Sequence, residues 1–338
     1  MEARRIIGVD ENGLGPRLGP LVVTGVRLRL AGAPPSMAEL RAATGLDDSK
    51  RVFAPGRRGR GEALALGVLG VRTAASPVGL LAGRAAALPW APPEACPLSA
   101  AGRIGGLGPG GAGAAPLPPR AAPSGLPPRA APSGPPWEAR CPALPVRALP
   151  RWTNEVRDVT AGLERLGVVV ERVAWAVLCP GTLNVALADG TSKLAVDLRL
   201  FEVVVEALRA DAGEGCETVC GKVGGTDRYG PRFAAWEGRV REVELESRAR
   251  STYEVAGVGR VSFVRDADAA EPAVATASVL GKYVRELWMD DLAAAAGWEG
   301  PVPSGYHDAA SERLEARLRE RIAAGALSLP IGCVRRLR

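Results

Sequence analysis

At 338 residues with 47% apolar side chains, the chain is long enough for one large domain or two small ones around a real core. Its formal charge of +6 comes almost wholly from arginine, which suits bidentate contact with phosphate without demanding a nucleic acid. No apolar run reaches bilayer-spanning length and no signal-like apolar segment opens the chain, so the sequence predicts a cytoplasmic protein without membrane contact. A single histidine, His307, leaves Ser-His or Cys-His nucleophile chemistry almost no material. The six cysteines, Cys96, Cys141, Cys179, Cys216, Cys220 and Cys333, are scattered and read as reduced packing residues, not zinc ligands or disulfides.

Residues 6–30 read as two or three strands joined by tight turns. The first strand, Ile7-Gly8-Val9-Asp10-Glu11, ends on two adjacent acids. A glycine-rich turn from Gly13 to Pro20 follows, and then a second apolar run. A buried carboxylate without a partner is costly, so an acid pair at the end of a strand calls for cations, a divalent metal being the usual one. A solvated hairpin turn is the bland alternative. Pro16 and Pro20 disfavour a dinucleotide-binding loop, which runs directly into a helix. Further along, Leu46-Asp47-Asp48-Ser49-Lys50 follows a loop, and a helix is predicted through Glu62–Leu66.

From about Arg84 to Pro150 the chain turns to Pro, Gly, Ala and Arg. It repeats Pro118-Pro119-Arg120-Ala121-Ala122-Pro123-Ser124-Gly125 almost unchanged from Pro127 to Gly134. Such a segment buries too little apolar surface to offset its ordering entropy and is predicted to be disordered. Beyond it the pattern predicts a helix over Asn154–Leu166, a strand over Val168–Leu178 and a long helix over Leu194–Leu208. Short strands at Thr218-Val219 and Val261–Val264 follow, then helices over Ala273–Ala296 and Ala309–Ala324. The last helix places Leu314, Leu318 and Ile322 on one face, which reads as core packing. Strands first, then strands alternating with helices, imply a mixed α/β sheet.

Gly8-Val9-Asp10-Glu11 with Gly13-x-Gly15-Pro16 and Gly19-Pro20 resembles the first catalytic motif of the type 2 ribonucleases H (ribonucleases HII and HIII). Four further segments match in order. Asp48-Ser49-Lys50 resembles the family's Asp-Ser-Lys, and Thr182-Leu183-Asn184 with Ser192-Lys193 resembles the approach to its central helix. Asp268, seven residues before Ala275-Thr276-Ala277-Ser278-Val279-Leu280-Gly281-Lys282, has the spacing of the last catalytic Asp, and Gly305-Tyr306 resembles the Gly-Tyr that packs on a sugar. Taken singly, Lys50, Lys282 and Tyr306 are equally surface residues and Asp268 a helix cap. Their common order and spacing carry the resemblance.

The resemblance implies an α/β fold, a ribonuclease H-like mixed sheet flanked by helices. The catalytic domain would be discontinuous over 1–83 and 152–292, with 84–151 as the disordered insertion and 293–338 as a C-terminal helical extension. It implies Asp10, Glu11 and Asp268 as catalytic residues and metal ligands, with Mg²⁺ or Mn²⁺ as cofactor. Gly13, Gly15, Ser49, Lys50, Lys282 and Tyr306 would bind substrate, an RNA–DNA hybrid or ribonucleotide-containing duplex, and the protein would be a monomer. Two departures stand out. The family's third Asp, within Val-Asp-Gly, is replaced by Val219-Cys220-Gly221-Lys222, so that Asp227 becomes a possible replacement carboxylate if its loop folds back. The Gly-Arg-Gly that reads a 2′-hydroxyl is Gly13-Leu14-Gly15. The function implied is metal-dependent endonucleolytic hydrolysis of the RNA strand of hybrids. A catalytically impaired nucleic-acid-binding relative is the alternative, and an unrelated α/β metal-dependent phosphoesterase a further one.

Overall fold

Strands β1 (Arg4–Asn12) and β2 (Leu21–Leu30) form an antiparallel pair through the glycine-rich turn that the sequence marks. In this computed structural model, residues 4–70 apart from 55, 84–85, 103–107 and 149–337 apart from 211, 214 and 328 are described. The predicted insertion at 84–151 therefore lies almost wholly outside the described residues. Within it only the short strands β3 (Arg84–Ala85) and β4 (Arg103–Leu107) and the start of the helix Leu149–Arg165 are placed. With β5 (Val168–Leu178), β6 (Glu217–Gly221), β7 (Val240–Glu246), β8 (Arg250–Val255) and β9 (Gly259–Val264), one mixed sheet runs β3-β4-β5-β2-β1-β6-β9-β8-β7. It is flanked by helices, as the sequence implied.

The parallel part of the sheet sets the position of the site. β1 pairs in parallel with β6, and β6 with β9, so three strands end at the same edge. Asp10 and Glu11 lie at the end of β1, Gly221 closes β6, and the turn after β9 carries Asp268. Ligands of open α/β sheets gather outside the carboxyl ends of parallel strands, and this edge is such a place.

Two helices cover the sheet around β1. Side chains of a strand alternate between faces. On one face Ile7 and Val9 pack with Val196, Leu200 and Phe201 of the helix Lys193–Arg209 in a buried cluster. On the other, Gly8 lies against the backbone of Ala273, at the start of the helix Pro272–Ala295. Glycine is required there, because no larger residue leaves room for strand and helix to approach this closely. Asp10, on the same face as Gly8, meets the second of these helices through Ser278.

Several elements were not evident in the sequence. The helix Pro180–Ala188 is almost uniformly apolar and so shows no stripe; Pro180 at its start is its main signal. β7 is exposed along nearly its whole length and pairs only with β8, so it shows no buried alternation. The short helix Met37–Thr44 is defined by the Ser36–Glu39 capping box. The final helix, Ala309–Ala323, buries Leu314 and Leu318 with Ile322 packed beside them, as its spacing predicts. Cys179, Cys216, Cys220 and Cys333 are buried. No helix among the described residues is long and apolar enough to cross a membrane.

One acid within the core gives a pH-sensitive element remote from the site. Glu62, on the helix Arg58–Val68, is 7% exposed among apolar neighbours and accepts a long hydrogen bond from the Tyr283 hydroxyl at 3.4 Å. Burial pushes its carboxyl up to about 7, although the Arg58 charge opposes this. A carboxyl raised in the folded state holds its proton longer than in the unfolded chain, so its contribution falls as pH rises from the ordinary carboxylate range through about 7. Glu62→Gln is expected to flatten the decline in melting temperature across that window. An unchanged pH profile would show that Glu62 is ionised without cost.

Candidate active site

Asp10 sits beside β6 in a position opened by a missing side chain. The parallel register pairs Val9 with Cys220, so Gly221 continues level with Asp10. A Cβ added at Gly221 would stand 2.4 Å from Asp10 Oδ1. Burial pushes the Asp10 carboxyl up to about 8; the Ser278 side chain opposes this by hydrogen bonding, while Glu11 and Asp268 add to it by repulsion. Ser278 lies on the long helix, with its Oγ 3.0 Å from Ser49 Oγ. Ser49, Ser278 and Asp10 are thus linked from the Asp-Ser-Lys motif to the strand acid.

Glu11 points to the other side of the strand end. Its Oε2 accepts the Leu14 amide at 2.9 Å, which fixes the first step of the glycine-rich turn. Burial raises its carboxyl, and the positive charges of Arg336, Arg285 and Lys50 offset this in part. Asp268 stands in the one-turn helix Ala267–Ala270, entered through Asp266 at φ 53, a left-handed conformation strained for a non-glycine residue. Burial raises the Asp268 carboxyl, Asp48 adds to this and Lys50, with Nζ at 3.9 Å, opposes it. Asp48 also caps the short helix Ser49–Val52 by accepting the Lys50 amide at 2.8 Å, which aims the lysine along this edge.

These residues line one open cavity of about 220 Å³, whose walls include Asp10, Glu11, Gly13, Asp268, Lys282 and Tyr306. Ser49, Lys50 and Gly221 share it. Lys282 Nζ is 2.8 Å from Glu286, one turn along its helix. The ring of Tyr306 is half exposed, with its Cε1 3.4 Å from where a Gly15 Cβ would stand, so glycine keeps that face of the ring open. Asp227 does not line the cavity: its carboxylate lies 2.5 Å from Lys222 Nζ on the exposed loop after β6. The fold therefore brings together every site residue named from the sequence except Gly15, at the rim against Tyr306, and Asp227, which pairs with Lys222 of the cavity wall.

Three groups that sequence reasoning missed surround the turn from beneath. The Arg285 guanidinium is buried and donates to Leu18 O at 3.0 Å. Arg336 donates from Nε to Gly19 O at 2.8 Å and from a terminal nitrogen to Gly13 O. The C-terminal segment thus braces the glycine-rich turn, aided by the Arg336 amide on Arg17 O at 2.9 Å. Burial and the neighbouring Arg285 charge lower the Arg336 guanidinium to about 9. The third is Asp197, fully buried on the helix Lys193–Arg209. Its signal was present in the sequence: it takes a core position in the series Asp197, Leu200, Phe201, Val204. No comparable signal marks Arg336.

Asp10, Glu11 and Asp268 offer the hard oxygen donors that Mg²⁺ and Mn²⁺ prefer, against a cavity where Asp10 has too little positive charge around it. The donor chemistry fits a divalent cation. Among the described residues, however, no three His, Cys, Asp or Glu side chains are gathered closely enough to hold a metal as they stand. The strand segment beside Asp10, Val219-Cys220-Gly221, contributes no acid to the donor set.

Residues 239–327 match the family model of ribonuclease HII. That stretch, which contains Asp268, Lys282 and Gly305-Tyr306, is similar to ribonuclease HII. The match does not reach Asp10 and Glu11. Among solved structures, ribonuclease HII from Archaeoglobus fulgidus, in complex with PCNA, is similar over 98% of this chain and 96% of its own, at 18% identity and TM-score 0.46. Bst ribonuclease HIII with Mn²⁺ is similar over 99% of this chain and 66% of its own, at 14% identity and TM-score 0.43. Ribonuclease H2 from Pyrococcus horikoshii is similar over 98% and 92%, at 14% identity and TM-score 0.41. At these scores the three serve only as points of reference. No curated protein sequence matches the chain.

Proposed function

We propose that the chain is a type 2 ribonuclease H, a metal-dependent endonuclease that hydrolyses the RNA strand of RNA–DNA hybrids. The observation that carries this reading is the meeting of Asp10, Glu11, Asp268, Lys50, Lys282 and Tyr306 around one cavity at the carboxyl edge of β1. Asp10, Glu11 and Asp268 would hold Mg²⁺ or Mn²⁺. When bound, such a cation supplies an activated water and charge stabilisation for the leaving oxygen. The chain's own residues do the remaining work. Lys50, mostly exposed at the rim, meets backbone phosphate, and Lys282 supports it from the long helix. Tyr306 offers a sugar or base an apolar face beside Gly15, and Gly13, whose lack of a side chain makes room for Arg285, would meet the substrate through its backbone.

A second reading, a relative that binds hybrids but cleaves them poorly, is favoured by Val219-Cys220-Gly221-Lys222, which carries no acid where the family pattern has one. Fluorescence anisotropy on a labelled hybrid, with cleavage followed in parallel on hybrid and single-ribonucleotide duplexes in Mg²⁺ and Mn²⁺, separates the two. The expected result is hybrid binding that weakens with salt, by about 0.9 in log K per log salt for each phosphate neutralised, with cleavage stronger in Mn²⁺ than in Mg²⁺. Mn²⁺ is expected to be favoured because it binds a depleted oxygen site more tightly. Binding without cleavage in either metal selects the second reading. Absence of binding removes both.

A further inference from the structure

One buried guanidinium of the helix Pro272–Ala295 joins two segments of the cavity wall that lie far apart in sequence. Arg285 is 1% exposed and lines the cavity. Its Nη2 donates to Leu18 O at 3.0 Å, while Nε and Nη1 have no hydrogen-bond partner among the described residues. Burying so sparsely bonded a charge costs stability that an apolar side chain of similar length would not. Core packing therefore does not account for an arginine here.

What the guanidinium touches does. Gly305, at φ 82, has room for no side chain: a Cβ there would stand 3.0 Å from Arg285 Nη2 and 2.7 Å from Leu18 O. The Gly305 carbonyl accepts the amides of Arg17 at 2.9 Å and Leu18 at 3.1 Å, and its own amide donates to Ser311 Oγ at 3.0 Å. A short circuit closes: Arg285 holds Leu18 O, the Leu18 amide holds Gly305 O, and Gly305 packs back against Arg285. The next residue is Tyr306, 49% exposed in the cavity wall. Among the described residues its hydrogen bonds are backbone ones, from its amide to Ser304 Oγ at 3.4 Å and to its carbonyl from the Asp308 amide at 3.0 Å. The place of the ring is thus set by the backbone at Gly305.

Resting on the hybrid-binding reading above, we propose that Arg285 is a positioning residue for substrate recognition, pegging Gly305 to the glycine-rich turn and so presenting the Tyr306 ring to a sugar or base of the hybrid. No bond is made or broken in this role, and Arg285 acts through Tyr306 without touching the substrate. Burial lowers its guanidinium from the ordinary value, and the charges of Glu286, Tyr306 and Glu11 oppose this. Electrostatic support of Glu11 is therefore the competing role. A lysine would restore that support but not the planar peg between Leu18 and Gly305.

The test is the affinity of the full chain for a labelled RNA–DNA hybrid, by fluorescence anisotropy in EDTA, where a role exerted through a Glu11-bound cation is silent. Arg285→Met, Arg285→Lys and Tyr306→Ala are compared with wild type, and each Arg285 variant is combined with Tyr306→Ala. Tyr306→Ala is expected to weaken binding about tenfold, and each Arg285 variant about fivefold, as parts of one base–aromatic stack. In the Tyr306→Ala background the Arg285 variants are expected to add nothing. Ser311→Ala, which loosens Gly305 from its other side, is expected to weaken binding in the same non-additive way, and it decides the matter if melting shows that the Arg285 variants do not fold. Wild-type affinity in these single variants, recovery by lysine alone, or an equal further loss in the Tyr306→Ala background would overturn the proposal while leaving the hybrid-binding reading intact. Absence of hybrid binding by the wild type would overturn both.

Discussion

Asp10→Asn is expected to reduce hybrid cleavage by about three orders of magnitude while the protein stays folded. The substitution keeps the shape of the side chain and removes the negative charge facing Glu11 and Asp268. If the bound cation contributes several kcal/mol to the transition state, losing about 4 kcal/mol of it corresponds to roughly a thousandfold at 1.36 kcal/mol per decade. The stability effect has the opposite sign. Because burial raises the Asp10 carboxyl to about 8, the metal-free wild type loses stability as pH rises from the ordinary carboxylate range through that value. The asparagine has no charge to bury, so the variant is expected to melt above wild type in EDTA on the alkaline side of that window. Gel-resolved cleavage and a thermal melt in EDTA check both halves. Full activity in the variant removes Asp10 from the site.

Gly8→Ala is expected to cause the largest loss of stability. An added Cβ would stand 2.2 Å from the Ala273 carbonyl carbon, 2.4 Å from its oxygen and 2.5 Å from the Val274 nitrogen. All three atoms belong to the helix backbone, so no side chain can rotate to make room. Overpacking typically costs about 1–3 kcal/mol, and a backbone clash belongs at the top of that range. About 3 kcal/mol corresponds to a fall of roughly 6–12 °C in melting temperature for a domain of this size. Activity should fall with it, because the displaced helix carries Ser278, the hydrogen-bond partner of Asp10. A wild-type melting temperature would mean that strand and helix do not meet at Gly8.

The acid pair and its strand were legible because Asp10 and Glu11 interrupt an apolar run, which is costly without a function. The strand Val168–Leu178 has the predicted ends, and the helix Pro272–Ala295 begins and ends within a residue of its predicted span. Asp268 and Lys282 were found through spacing to a helix. What remained hidden depends on contacts distant in sequence. Arg336 acts on Gly13 and Gly19 from the opposite end of the chain, and neither its identity nor its neighbours Arg335 and Leu337 mark it out. The extension predicted over 293–338 thus includes part of the support of the site as well as a helix. Asp197 was readable as a polar break in a buried helix face, but only the fold places that face under Glu11. For Asp227 the sequence left open where its loop would lead; its carboxylate pairs with Lys222 and does not line the cavity.

The most direct measurement of the central claim uses an RNA–DNA hybrid labelled separately on each strand and incubated with the wild-type chain in Mn²⁺. The expected outcome is internal cleavage of the RNA strand alone, abolished by EDTA and by Asp10→Asn, with DNA duplex and RNA duplex left intact. An uncut hybrid, or cleavage that persists in EDTA or in Asp10→Asn, would contradict a metal-dependent hybrid nuclease at the end of β1.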